Sequence, residues 1–281
     1  MTTFNIDGHK AYAYTGGKAL DPALPCVVFV HGALNDHSVW TLLARWFAHH
    51  GYGVLAVDLP GHGRSLGAAL PDVQAHGTWL LRLLEQAGVR RAALAGHSMG
   101  SLIALEAAAQ NLGQSTPTCA IDRLAMVGTA YPMKVSEALL QTAQTQAEKA
   151  MAMVNSFSHS TLAAKPSYPG PGAWLHGGGM QLMRRMQALY AQRNEGANLF
   201  ARDFQVCDRY ANGHQAAEAL RAAGNCKVSF ILGERDQMTQ IRQSQDLAQR
   251  LDAQVFKLGA GHALMGEAPD AMLGALRQAL A

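Results

Sequence analysis

The stretch Arg91-Ala92-Ala93-Leu94-Ala95-Gly96-His97-Ser98-Met99-Gly100 carries the strongest structural signal in the chain. Residues 91–95 form a short apolar run that predicts a buried strand, and residues 101–109 predict a helix. The pentapeptide before the helix has glycine at both ends and serine at its centre, which is the pattern of a sharp strand–turn–helix junction. Side chains at 96 and 100 would collide with neighbouring backbone in such a turn, so both positions require glycine. The alternative interpretation is a turn of glycine and serine that only caps the helix.

Length and composition favour a soluble globular protein. The chain has 281 residues, of which 49% are hydrophobic and 15% charged, enough for one large domain or a domain with an insertion. No apolar run approaches the roughly 18 residues that cross a membrane. The N-terminus lacks a basic region followed by an apolar stretch. We therefore expect a cytoplasmic protein with no membrane span and no secretory signal.

The charges and the cysteines point away from nucleic acid, disulfides and metals. The net charge of +3 is small and dispersed, so no nucleic-acid partner is expected. A solvated face is favoured over an anion site for three arginines on one predicted helix, Arg184, Arg185 and Arg193. The four cysteines are scattered and are interpreted as buried free thiols: Cys26, Cys119, Cys207 and Cys226. No residues have metal-ligand spacing and no phosphate loop occurs, so no cofactor is implied.

Strand-like and helical patterns alternate through most of the chain. Strand-like apolar runs occupy 26–30, 54–57, 91–95, 124–127, 228–232 and 255–258. The run 26–30 is continuously apolar, as expected for a strand buried on both faces. Helical patterns lie between them, which predicts an α/β fold with a mostly parallel, doubly wound sheet covered by helices on both faces. The segments Phe4–Ile6 and Ala11–Tyr14 predict an antiparallel hairpin at one edge.

The region 131–215 breaks this alternation, because it has helical patterns and no convincing strand. It is interpreted as a helical cap inserted between two core strands, with residues 1–130 and 216–281 forming the core domain. Half of the twelve methionines fall in it, and methionine packs adaptably against irregular apolar surfaces. A lid lined for an apolar ligand and ordinary packing of the insertion on the core are both open. The candidate substrate-binding residues are Trp174, Met183, Met186 and Tyr190.

Ser98 needs a base and an orienting acid, since a serine hydroxyl is a poor nucleophile at neutral pH. Loops at the carboxyl ends of parallel strands converge on one edge of the sheet, so both partners should follow later strands. Asp236 comes just after the penultimate predicted strand and His262 just after the last one, which is the expected chain order. Taken singly, the aspartate is also readable as a loop cap and the histidine as a surface residue. The nearest rival acid is Glu234, whose longer side chain is expected to point elsewhere.

An oxyanion that develops during the reaction needs backbone N–H donors aimed at it in advance. One donor is Met99, directly after Ser98, and the candidate for the second is Ala33 in the oxyanion loop, residues 31–34. Other histidines are given structural roles rather than catalytic ones. We expect His97 to pack or hydrogen-bond beneath the site, His31 to brace the oxyanion loop and His62 to belong to a tight loop.

Together these segments resemble the α/β-hydrolase fold superfamily, and within it the capped, esterase-like serine hydrolases. The matching pieces are Val28-Phe29-Val30-His31-Gly32, Asp58-Leu59-Pro60-Gly61-His62-Gly63-Arg64-Ser65, Gly96-His97-Ser98-Met99-Gly100, residues 233–236 and Gly261-His262. They span nearly the whole chain. The resemblance implies the fold, a cap domain, a nucleophile elbow, a Ser-His-Asp catalytic triad and an oxyanion hole, and it is poorly specific for substrate.

Departures from related patterns narrow the choice of reaction. Ser98 argues against haloalkane dehalogenases and epoxide hydrolases of this fold, which carry an aspartate nucleophile. Proline iminopeptidases typically have His-Gly-Gly-Pro-Gly where this chain has His31-Gly32-Ala33-Leu34-Asn35. Many carbon–carbon bond hydrolases that open meta-cleavage products have asparagine at the position of His97, which weakens that interpretation without excluding it. Thr239 stands where many relatives have proline after the acid, and no function is attached to it.

The sequence therefore favours a serine hydrolase that cleaves a small to medium, largely apolar carboxylic ester through an acyl-enzyme. The alternatives are carbon–carbon bond hydrolysis of a meta-cleavage-type product by the same triad, and a low-turnover ligand-binding receptor. The expected partner is a small-molecule ester substrate. The protein is expected to be a monomer or homodimer that needs no cofactor.

Overall fold

The computed structural model describes residues 1–160 and 175–280. The strands in this part are β1 (Thr2–Ile6), β2 (His9–Tyr14), β3 (Cys26–Val30), β4 (Gly53–Val57), β5 (Arg91–His97), β6 (Ala120–Val127), β7 (Lys227–Gly233) and β8 (Gln254–Leu258). The helices are α1 (Thr41–Ala48), α2 (Val73–Gln86), α3 (Met99–Leu112), α4 (Glu137–Thr145), α5 (Ala147–Ser158), α6 (Leu175–Arg193), α7 (Leu199–Arg209), α8 (Gly213–Ala223), α9 (Gln245–Arg250), α10 (Leu264–Glu267) and α11 (Pro269–Leu280). A 3-10 helix, His37–Trp40, leads into α1. None of these described helices is long and apolar enough to cross a membrane.

The described strands form one eight-stranded sheet in the order β1-β2-β4-β3-β5-β6-β7-β8. The strands β3 to β8 run parallel, whereas β1 and β2 form an antiparallel hairpin that pairs with β4 at one edge. The predicted mostly parallel sheet with an edge hairpin is therefore confirmed. Because the parallel strands share one direction, the loops at their carboxyl ends meet along one edge, where open α/β sheets bind their ligands.

Successive residues of β3 point to opposite faces of the sheet and enter two different cores. Cys26, Val28 and Val30 pack in a cluster with the buried faces of α2, α3 and α8. Val27 and Phe29 pack in a second cluster with α1 and α11. Every residue of β3 is buried, which explains why its sequence is a continuous apolar run. Helices therefore cover both faces of the sheet, as predicted.

The helices α4 to α7 lie between β6 and β7 in the chain, within the insertion predicted from the sequence, and are called the cap helices here. They contribute to a third apolar cluster, which includes the buried Met151, Met180, Met183 and Met186. The next helix, α8, packs in the same core cluster as α3. It begins at Gly213, so the predicted boundary at 215 falls inside this core helix.

Candidate active site

Ser98 lies at the sharp turn between β5 and α3. Its backbone adopts φ +53° and ψ −121°, a conformation that residues with side chains rarely adopt. The Ser98 N–H donates to the Val127 carbonyl (2.9 Å), which continues the pairing of β5 with β6 into the turn. A Cβ at Gly96 would collide with the Gly100 carbonyl, and a Cβ at Gly100 would collide with the Val30 carbonyl. Close backbone approach therefore requires both glycines.

Asp236 and His262 lie in the loops after β7 and β8 and are hydrogen-bonded to each other. The distance between His262 Nδ1 and Asp236 Oδ2 is 2.8 Å. The other carboxylate oxygen, Asp236 Oδ1, accepts from the backbone N–H groups of Met238 (2.7 Å) and Thr239 (2.8 Å). Thr239 Oγ1 also donates to Asp236 Oδ2 (2.8 Å). Asp236 is buried, whereas the rival acid Glu234 is exposed and lies outside this network.

These contacts favour the ionised form of Asp236. Burial on its own raises the pKa of this carboxyl group. The charge of His262, the hydrogen bond to it and the donors of Thr239 outweigh burial and hold the pKa below its ordinary value. An ionised Asp236 accepts the Nδ1 proton of His262, so the other ring nitrogen, Nε2, is left to act as a base.

Ser98 and His262 line one cavity of about 810 Å³, whose walls come from the core and the cap. The backbone holds Ser98 in place on both sides, since its carbonyl accepts from the Ser101 N–H (2.8 Å) and Oγ (2.6 Å). Ser98 and the candidate base His262 thus share one cavity. Catalytic serine–histidine hydrogen bonds commonly tighten only when substrate is bound.

The two candidate oxyanion donors come from different elements. Met99 is the first residue of α3, where helix N–H groups have no intrahelical acceptor. Ala33 lies in the oxyanion loop and lines the same cavity as Ser98. At the adjacent Gly32, a Cβ would lie only 3.0 Å from the Ser98 Cβ, so the loop backbone passes directly by the serine. Both N–H groups are therefore near the serine, and the start of α3 adds a favourable field for negative charge.

Two buried histidines near Ser98 are held as neutral rings. His97 Nε2 donates to the His262 carbonyl oxygen (2.9 Å), and burial together with the neighbouring His262 lowers the pKa of His97 to about 3. His31 Nδ1 donates to the Gly32 carbonyl oxygen (2.8 Å), and its Nε2 accepts from the Leu59 N–H (3.1 Å). Burial lowers the pKa of His31 to about 4. His97 therefore supports the loop that carries His262, and His31 supports the oxyanion loop.

The structure corrects part of the predicted cap lining. Met183 lies in the wall of the cavity. Met186 and Tyr190 instead contact the loop after β4, where the Gly63 N–H donates to Met186 Sδ (3.3 Å) and Tyr190 Oη accepts from the Ala69 N–H (3.3 Å). These two residues are outside the described lining because their end of α6 packs on this loop. The predicted contact of Trp174 lies outside the described residues.

Among the described side chains, one group has the composition of a metal site. It consists of Asp36, His37 and Asp58, whose ligand atoms lie within 4.8 Å of one another. Hydrogen bonds within the protein occupy these atoms. Asp58 Oδ1 accepts from His37 N (2.8 Å) and Nδ1 (2.7 Å), and Asp58 Oδ2 accepts from the Arg64 N–H (2.8 Å). Asp36 Oδ1 accepts from the Ser38 N–H (2.9 Å), so the group is explained as a brace between two loops.

Most of the chain matches a known protein family. A family model described as "Alpha/beta hydrolase family" matches residues 27–275. The chain belongs to the alpha/beta hydrolase family. The matched range includes Ser98, Asp236 and His262.

Solved structures of low sequence identity share the fold of this alpha/beta hydrolase. The enol-lactonase from Burkholderia xenovorans is 20% identical, with a TM-score of 0.76 and 99% of each chain covered. An esterase from Exiguobacterium antarcticum is 16% identical, with a TM-score of 0.78 over 99% of this chain and 98% of the esterase. A curated relative, (E)-2-((N-methylformamido)methylene)succinate hydrolase from Acinetobacter baylyi, is 36% identical over 78 residues. That match spans 27% of this chain and 29% of the relative.

A buried ion pair joins the cap of this alpha/beta hydrolase to its core. Asp203 Oδ2, on α7, accepts from His62 Nε2 (2.9 Å) and from the Leu34 N–H of the oxyanion loop (2.9 Å). His62 Nδ1 lies 3.0 Å from the Pro60 carbonyl oxygen. Both ring nitrogens of His62 therefore face acceptors, which favours the charged imidazolium form of the ring. Burial on its own lowers the pKa of His62, but the charge of Asp203 and the hydrogen bond to it raise the pKa above the ordinary value.

Sequence reasoning misses Asp203 as a residue that supports the site. The signal in the sequence is that Asp203 lies on the apolar stripe of a predicted helix, and a carboxylate buried there needs a partner. The apolar residues of this stripe are Leu199, Phe200, Phe204 and Cys207. The stripe does not identify that partner, because His62 comes from the core, 141 residues earlier.

Replacing Asp203 with alanine is expected to lower the free energy of unfolding by about 3–5 kcal/mol, because it leaves a buried imidazolium without its counter-charge. Urea unfolding of the wild type and the variant measures this loss. Arg82→Ala is the control, since the Arg82–Asp7 pair (2.6 Å) is exposed on both sides and such pairs contribute little. Equal losses in the two variants would contradict a special role for the buried pair.

The same pair predicts how stability depends on pH. The pKa of His62 is raised in the folded protein, so the folded state binds more protons than the unfolded state above the ordinary histidine pKa of about 6.5. The stabilisation by the pair is therefore fully present below about pH 6.5 and is lost as the pH rises through the raised pKa. We expect the unfolding free energies of the wild type and Asp203→Ala to differ more at about pH 6 than at about pH 9. A difference that stays constant or grows with pH would show that His62 is neutral.

Proposed function

We propose that this chain is a serine hydrolase that cleaves a largely apolar carboxylic ester through an acyl-enzyme. The observation that supports it is Ser98, at a positive-φ turn, in one cavity with the hydrogen-bonded pair of His262 and Asp236. Ser98 Oγ attacks the ester carbonyl carbon while His262 takes the hydroxyl proton. The N–H groups of Ala33 and Met99 hold the oxyanion. His262 then gives its proton to the departing alcohol.

Water completes the cycle. His262 takes a proton from a water molecule, whose oxygen attacks the acyl carbon. Collapse of this second tetrahedral intermediate releases the carboxylic acid and returns the proton to Ser98 Oγ. Asp236 stays ionised throughout, because its role is to orient the ring of His262 and to stabilise the imidazolium.

The described walls of the cavity fit an uncharged substrate better than an anionic one. Apart from histidines, the charged side chains among them are Lys134 and Asp270, and both residues are exposed. Proteins commonly hold carboxylates by paired hydrogen bonds from arginine, and no arginine belongs to the described lining. The Acinetobacter relative is named for a succinate, which is a dicarboxylate, and these walls offer no such clamp for one.

Covalent labelling combined with two chromogenic substrates tests the proposal. A fluorophosphonate is expected to bond through phosphorus to Ser98 Oγ with loss of fluoride, and intact-mass spectrometry detects the adduct. Hydrolysis of p-nitrophenyl butyrate reports ester cleavage, and a coloured meta-cleavage dienone reports carbon–carbon cleavage. Faster turnover of the dienone would favour the carbon–carbon hydrolase instead. Ligand binding without labelling or turnover would favour a receptor and overturn the proposal.

A further inference from the structure

The cavity beside Ser98 is large for a small ester. Its volume of about 810 Å³ lies in the upper part of the range of about 300–1,000 Å³ that is typical of ligand pockets. A short-chain ester would leave much of this volume and its apolar walls in contact with water. A substrate of the small to medium size expected from the sequence therefore fills only part of the cavity.

On the side of the cap helices, the wall of the cavity is apolar and buried. Met133, Met183, Phe204 and Cys207 line it, and each of them is buried. Hydrocarbon placed against such side chains is removed from water, which favours binding in proportion to the apolar area covered. This wall therefore favours an apolar group of the substrate in the cavity that also contains the candidate catalytic residues.

A second apolar wall extends the cavity from the candidate catalytic residues to the surface. Leu42 and Trp46 come from α1, and Met265 and Leu273 come from α10 and α11. Leu42 is 71% exposed and Phe157, on the cap, is 48% exposed, so the lining reaches solvent at both residues. A single exposed leucine is ordinary on a protein surface. Here two exposed apolar residues border the cavity that contains Ser98, which indicates an apolar opening.

Resting on the proposed ester hydrolysis, we propose that the substrate is an uncharged ester with a long unbranched alkyl chain. The chain lies along the wall formed by α1, α10 and α11 and reaches the surface beside Leu42. A flexible alkyl chain covers this second apolar wall, whereas a compact group near Ser98 leaves the wall in water.

Two substrate series test this inference and locate the chain. One series consists of p-nitrophenyl esters of straight-chain acids, and the other consists of acetates of straight-chain alcohols, all measured below their critical micelle concentrations. In one of the series, kcat/KM is expected to rise by up to about fourfold per added methylene until the chain reaches the surface, because each methylene leaves water. The series that rises shows whether the acid or the alcohol carries the chain.

Leu42→Gln and Leu66→Gln form a matched pair of variants. Both leucines are exposed, but Leu66, at 43%, lies outside the described lining of the cavity. The readout is the ratio of kcat/KM for the dodecyl-length member of the rising series to that for its butyl-length member. This ratio is expected to fall by about fivefold in Leu42→Gln, because the chain loses an apolar contact, and to keep its wild-type value in Leu66→Gln.

The outcomes separate this inference from the function on which it rests. Hydrolysis of the butyrate ester without a rise along either series would overturn the long-chain substrate and leave ester hydrolysis standing. An unchanged ratio in Leu42→Gln, or an equal fall in Leu66→Gln, would overturn the path beside Leu42. No hydrolysis of any ester would overturn the proposed function itself.

Discussion

Replacing Ser98 with alanine is expected to lower kcat for ester hydrolysis by at least about 10³-fold and to abolish fluorophosphonate labelling. Without Oγ no acyl-enzyme forms, and only the slow direct attack of water on a bound ester is left. The fold should be retained, because the hydrogen bonds of Ser98 to Val127 and Ser101 are made by its backbone. The loss is therefore chemical rather than structural.

The measurement is p-nitrophenol release together with intact-mass analysis, and urea unfolding checks the fold. Ser158→Ala is the matched control for labelling. Ser158 lines the same cavity, and its hydroxyl donates to the Val154 carbonyl (2.8 Å), so it is an available but unactivated serine. Wild-type turnover or labelling in Ser98→Ala would show that the nucleophile is a different residue.

Replacing Asp236 with asparagine is expected to lower kcat by about 10⁴-fold, although the two side chains have nearly the same shape. The N–H groups of Met238 and Thr239 both donate to Oδ1, so they hold the amide oxygen of the asparagine at that position. The amide nitrogen then takes the place of Oδ2 and faces His262 Nδ1. Because it donates and does not accept, it keeps the ring proton on Nε2, and His262 no longer takes the proton of Ser98.

Glu234→Gln is the control for this substitution. Glu234 is the neighbouring exposed acid, and it lies outside the hydrogen bonds of Asp236 and His262, so no comparable loss of kcat is expected. Unfolding midpoints of both variants separate a lost base from a lost fold. Near-wild-type turnover in Asp236→Asn, or a larger loss in Glu234→Gln, would move the role of the acid to another residue.

The sheet and the positions of Ser98, Asp236 and His262 were accessible from the sequence for a topological reason. Apolar runs locate the buried strands, and parallel strands bring the residues that follow them to one edge. The fold is confirmed, and the structure brings the pair His262 and Asp236 into hydrogen-bond contact. The catalytic roles of the three residues stay predictions until the substitutions above are measured.

Contacts of the cap were not accessible in the same way. A helical stripe specifies which face of α6 is apolar, but it does not specify what that face packs against. Met183 and Met186 belong to one stripe, yet Met183 lines the cavity and Met186 contacts Gly63 of the core. Likewise, no local pattern links His62 to Asp203, because their contact depends on how the whole insertion sits on the sheet.

The anchoring of Asp203 limits how freely the cap is exchangeable. In a chimera that received its cap from another protein, an apolar side chain at position 203 would leave the Leu34 N–H and the His62 ring without their shared acceptor. A productive graft must therefore carry the acid on α7 along with the new helices, or redesign the oxyanion loop at the same time. Point substitutions such as those at Met183, which faces the cavity, avoid this linkage and offer the simpler route to new substrate preferences.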